Sequence, residues 1–149
     1  MFDQKPMKQY NDDQIKLVLY KRFGQERKYG IDKTYLFDIV LSQTNDIIGQ
    51  CDIRFGSGWY LYYLGNIGYS IYFPYRGHRY ATKACRLLLA LAKDEGVKEL
   101  IITCSPENIA SYKTITALPV NYIDTVDVPR EHDLYQRNEV KKCIFKINL

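Results

Sequence analysis

The residues best suited to do chemistry lie in one short turn, YRGHRYAT, from Tyr75 to Thr82. Tyr69, Ile71 and Phe73 alternate with Ser70 and Tyr72 before it, which predicts a strand that Pro74 ends by removing a ladder donor. From about Arg79 the apolar period becomes helical, with Ala81, Ala84, Cys85, Leu88, Leu91 and Ala92 on one stripe, and Gly96 follows as a stop. A strand, a basic turn containing Gly77 and an apolar helix bring free backbone N–H groups and a helix dipole to one point. That arrangement suits a phosphate.

The elements that position this turn are predicted within one domain spanning residues 1–149. A chain of this length buries roughly 70% of its unfolded surface. A formal net charge of +4 favours anionic small molecules and does not indicate nucleic acid, and no RNA-binding or helix-turn-helix pattern accompanies the Arg, Lys and Tyr residues around Tyr60–Tyr80. No apolar run approaches the ~20 residues of a membrane span. The opening MFDQKPMKQY has no apolar signal core, so the expectation is a cytoplasmic protein. Cys51, Cys85, Cys104 and Cys143 are scattered among Val, Ile and Leu with no metal-ligand spacing, and read as reduced core thiols.

In chain order, Ile15–Tyr20 is a predicted strand, and Phe23–Lys33 a loop or one short helical turn. Tyr35–Ser42 and Asp46–Phe55 flank Gln43-Thr44-Asn45 as a hairpin. WYLYYLGNIGYSIYF leads into the strand before the basic turn. Val97–Ser105, entered directly from the helix, reads as a buried strand parallel to that one. Asn108 can N-cap a second helix running to Leu118, where Pro119 stops it. Asn121–Val128 is strand-like, Pro129–Lys142 a polar excursion, and Cys143–Leu149 a closing strand. His132 and the Lys141-Lys142 pair read as surface.

Over Ile48–Ser111 the chain resembles the GNAT superfamily of acyl-CoA-dependent N-acetyltransferases, of the small bacterial type. The family's strand-to-helix signature, Arg or Gln, two residues, Gly, one residue, then Gly or Ala, is matched by Arg76-Gly77-His78-Arg79-Tyr80-Ala81, with Arg79 at the middle Gly. Its second signature is matched by Asn108 and Ser111. The resemblance implies a mixed α+β fold: a mostly antiparallel, twisted sheet with a central splay between two parallel strands, and a long helix after the phosphate turn. Acetyl-CoA would enter the splay as co-substrate. Backbone groups of Ile71 and Tyr72 would pair with the pantetheine amides as an added strand would. The diphosphate would lie on the amides of Gly77, His78, Arg79, Tyr80, Ala81 and Thr82, with Arg76 adding charge, and Asn108 and Ser111 would face the arm.

The implied reaction is direct attack of a primary amine, small-molecule or peptide, on the thioester. An amine of pKa ~10.4 is about one part in a thousand neutral at pH 7, so a general base helps. Asp52 and Glu107 are candidates as the base, and each also reads as a solvated strand-end carboxylate. An N–H near Ile71 is the natural oxyanion donor. Tyr112 is a candidate acid for the leaving thiolate and equally a packing residue; His78 reads as a phosphate contact or as solvent-exposed.

The chain departs from the family at several positions. Arg79 can clamp the diphosphate or block its seat; Ile115 stands where many members carry a Tyr acid; and Pro119-Val120 replaces a Gly-containing pair. The first interstrand segment, where the family usually has two helices, is short, and a homodimer could supply the missing acceptor wall. These departures leave a second expectation beside the enzyme: a non-catalytic CoA-binding or regulatory module.

Overall fold

The computed structural model describes residues 6–149, so the start of the polar opening segment lies outside the described residues. Five strands form the first sheet in simple order: β1 (Tyr10–Asn11), β2 (Ile15–Phe23), β3 (Ile31–Leu41), β4 (Ile47–Gly56) and β5 (Ile67–Ile71), each antiparallel to its neighbour. The second sheet has the order β6 (Glu99–Cys104), β8 (Lys141–Asn148), β7 (Asn121–Asp127), also antiparallel. The helices are α1 (Trp59–Leu64), α2 (Tyr80–Asp94), α3 (Ile109–Thr116) and α4 (Asp133–Gln136).

One core joins the two sheets. Leu17, Phe37, Ile39, Cys51 and Ile53 from the first share it with Ile102, Cys104, Phe145 and Ile147 from the second and with Ala84, Cys85, Leu88 and Leu91 of α2. The alternation of β4 shows the faces: Cys51, Ile53 and Phe55 are buried towards this core, while Asp52 and Arg54 turn to the outer face. All four cysteines are buried free thiols, as their apolar surroundings predict. No helix among the described residues is long and apolar enough to cross a membrane.

Several elements differ from the sequence expectation. WYLYYL forms helix α1 instead of running into the next strand. Aromatic content argues for strand, but Gly58 and Gly65, at φ 116° and 87°, break the chain on both sides and leave one helical turn between. β5 stops at Ile71, not at Phe73, because Phe73–Tyr75 turns as a short 3-10 segment around Pro74; Phe73 is 80% exposed. The Phe23–Lys33 stretch holds one 3-10 turn at Arg27–Tyr29, and the flanking strands extend into it. The polar excursion contains α4 and buries His132 completely, against the surface expectation. There the imidazole stacks on Tyr60 at 4.4 Å, with Nε2 3.0 Å from the Tyr60 carbonyl and Nδ1 accepting the Leu134 N–H at 3.1 Å. Lys142, also expected at a solvated edge, is 6% exposed.

Candidate active site

The two sheets meet at Asn66, immediately before β5. Its N–H donates to the Ile101 carbonyl (2.7 Å), and its side-chain oxygen accepts the Ile101 N–H (2.8 Å). The amide nitrogen donates to the carbonyls of Arg54 (2.8 Å) and Gly56 (3.2 Å). One buried side chain therefore ties β4, β5 and β6 together at a single level. Beyond it β5 and β6 belong to different sheets, so the strands that start side by side at Asn66 and Ile101 diverge. An antiparallel ladder alternates its bonding edges. The Tyr72 N–H donates to the Ile48 carbonyl (2.8 Å), so the N–H of Ile71 faces away from β4 and into the gap. Tyr72 thus gives its N–H to the sheet, whereas Ile71 presents its own to the opening.

The gap opens into a cavity of ≈ 1080 Å³ that reaches both faces of the sheets. On the core side it is lined by Tyr69, Ile71, Asn108, Ser111 and Thr114; on the outer side by Arg54, Leu64, Thr103, Glu139 and Lys142. The basic turn forms one end, with Arg76, Gly77, Arg79, Tyr80, Ala81 and Thr82 in the wall. Gly77 has φ 90° and Arg79 φ 63°, so an arginine takes the left-handed position that opens α2. This conformation aims the first amides of α2 at the cavity, where they lack intrahelical acceptors. The Arg76 guanidinium is fixed by Nε donating to the Ile71 carbonyl at 2.8 Å. Arg79, Lys83 and Arg86 stand on the same wall, so an anion here meets several positive charges. Volume, free amides and cations together fit the diphosphate and arm of acetyl-CoA.

Asn108 caps α3 through its side-chain oxygen, which accepts the Ser111 N–H at 3.1 Å. The Ser111 hydroxyl lies 2.6 Å from the Tyr69 hydroxyl, a bond that crosses the gap from α3 to β5. Burial pushes the Tyr69 phenol well up from its ordinary value, so it stays protonated and able to donate.

The other sequence candidates stand elsewhere. Asp52 is bound to the Arg54 Nε at 2.9 Å, Glu107 is exposed in the turn before α3, and Tyr112 packs edge-on against Phe145 at 5.8 Å. Among the described residues, none of these three lines the cavity, nor does His78, which leans on Tyr80 at 5.4 Å. Ile115 is fully buried in the core. Sequence reasoning missed Asn66, Tyr69, Thr103 and Glu139. Asn66 follows a glycine and reads as turn chemistry; Tyr69 is one Tyr among fourteen; Glu139 sits in a polar stretch with no motif.

A family model described as an acetyltransferase (GNAT) domain matches residues 2–118. Among solved structures, the chain is similar to a GNAT-family acetyltransferase from Bacillus anthracis (TM-score 0.59, 21% identity), covering 76% of this chain and 65% of that one. It is similar to the ribosomal-protein-S5-alanine acetyltransferase from Vibrio fischeri (TM-score 0.68, 12% identity), covering 95% and 97%. A third is the microcin C7 self-immunity acetyltransferase, solved in complex with acetyl-CoA and AMP (TM-score 0.58, 19% identity), covering 78% and 61%. These likenesses concern the fold. No curated protein matches the sequence closely enough to stand beside them. With the diverging strands, the phosphate turn and a family model covering most of its length, this chain belongs to the GNAT acetyltransferase family.

Proposed function

We propose that the protein transfers an acetyl group from acetyl-CoA to a primary amine by direct attack. The observation that carries this reading is the splay itself, locked at Asn66 and open from there to the amides of α2. The pantetheine arm lies along β5 and bonds the Ile71 N–H. The diphosphate rests on the amides of Gly77 and of Arg79 to Thr82, and Arg76 and Arg79 neutralise it. Arg79 acts as a clamp, since its backbone already sits in the left-handed turn and its side chain stands in the cavity wall.

The acceptor enters from the outer face as an ammonium and sheds one proton to solvent. The free amine attacks the thioester carbonyl, the C–N bond forms, and the C–S bond breaks. The second proton leaves with the thiolate as CoA thiol. In this reading the Ser111 hydroxyl donates a hydrogen bond to the departing sulfur, which its 2.6 Å contact with the Tyr69 hydroxyl supports by fixing its position. Tyr112 and Asp52 serve structure in this reading, through Phe145 and Arg54, and Glu107 remains at the surface.

Ile115, buried where many relatives carry an acid, supports a second reading: a CoA-binding module without transfer. Two measurements separate them. Acetyl-CoA at 100 times its dissociation constant should stabilise the fold by ~2.7 kcal/mol in thermal denaturation. Thiol release with a panel of amines should then exceed the amine-free rate and fall in Asn108→Ala. Binding without amine-dependent release selects the module, and absence of binding removes both.

A further inference from the structure

The wall of the cavity carries seven cationic side chains, Arg54, Arg76, Arg79, Lys83, Arg86, Lys113 and Lys142, and among the described residues a single carboxylate, Glu139. The phosphates of acetyl-CoA account for the cations near the basic turn. They do not account for Glu139, on the outer side with Leu64 and Thr103. We infer that Glu139 is the seat of the acceptor's ammonium group as the amine arrives from the outer face. This inference rests on the acetyl-transfer reading above.

Three observations support it. Glu139 already holds an ammonium: Lys142 Nζ donates to its Oε1 at 2.6 Å. The Lys142 side chain is 8% exposed and that of Glu139 34%, so the lysine is the buried member of the pair and the carboxylate the accessible one. The outer-face carboxylate of β4, Asp52, is bound to Arg54 at 2.9 Å and does not line the cavity, whereas Glu139 does. An ammonium entering the cavity has one negative partner among the described residues of its wall and gains both charge attraction and a hydrogen bond there, whereas a neutral alcohol or thiol gains only the hydrogen bond. Lys142 also competes for the same carboxylate, which gives the site a sign that a merely structural ion pair lacks. Removing Glu139 weakens acceptor binding, and removing Lys142 strengthens it.

The test is calorimetric titration of n-butylamine and of alanyl-alanine amide into protein saturated with CoA, for the wild type, Glu139→Gln and Lys142→Met. Acetyl-CoA affinity is measured in parallel. At least one amine should bind the wild type, and Glu139→Gln should weaken it about tenfold or more, the scale of a hydrogen bond to a charged group. Acetyl-CoA affinity should be unchanged in that variant. Lys142→Met, a replacement of similar volume at a buried position, should tighten amine binding, and it decides the matter if Glu139→Gln does not fold. Amine binding that is equal in the variants and the wild type overturns the inference. So does a wild type that binds acetyl-CoA and neither amine. Failure to bind acetyl-CoA would instead sink the acetyl-transfer reading on which this one stands.

Discussion

Replacing Asn66 by Leu would test whether one side chain fixes where the two sheets separate. The substitution keeps the branched shape, adds some bulk and removes every polar atom of the side chain of a residue that is 4% exposed. It leaves the Ile101 N–H without its 2.8 Å acceptor, and the Arg54 and Gly56 carbonyls without donors at 2.8 and 3.2 Å. A buried donor stranded in this way costs about 1–3 kcal/mol. The carbonyls cost less, since each has a second lone pair for other partners. The sum is about 2–4 kcal/mol, or roughly 5–15 °C in Tm for a domain of this size. Urea denaturation should show the midpoint falling with an unchanged slope. Acetyl-CoA affinity should fall more than about tenfold in the folded variant, because the strands no longer part at a fixed level. A loss under about 1 kcal/mol would refute the role of Asn66 as the tie between the sheets. A full loss of stability with cofactor affinity intact would show that it ties them without setting the width of the gap.

Arg79→Gly should act in opposite directions on fold and ligand. Glycine relieves the left-handed backbone at φ 63° and should stabilise the protein by about 0.5–1 kcal/mol, while removal of the guanidinium weakens acetyl-CoA binding. Tighter or unchanged binding in titration would rule out the clamp. Alkaline pH should unfold the protein. Burial pushes the Cys85 thiol up to about 12 and the Cys104 thiol up to about 11 from the ordinary 9.0, and Tyr60, beside Asp133, up to about 12 from 10.0. These groups ionise in the unfolded chain before they do so in the folded one, so stability is complete below pH 9.0 and falls as pH rises towards 12. Denaturant midpoints across that window should decline, and Cys85→Ala should flatten the decline; a flat wild-type profile would contradict the assigned burial.

The amino-acid sequence by itself determined the elements built on local rules. The apolar stripe of α2, the hairpin around Asn45, the Asn108 cap and the basic turn at Arg76–Thr82 depend on neighbours three or four residues away, and their residue types carry that information. Sequence also carried the family, because those signatures occur in a fixed order. It could not supply the outer half of the site. Glu139 and Lys142 face Arg54 and Thr103 across separations of many tens of residues, and no local period marks a carboxylate that a distant strand brings to a cavity. Asn66 looks like a turn residue until Ile101 is beside it, and His132 like a surface histidine until Tyr60 stacks on it. Pairing between distant segments is decided by which polar groups must find partners once the core closes, and only the tertiary structure shows which ones they find.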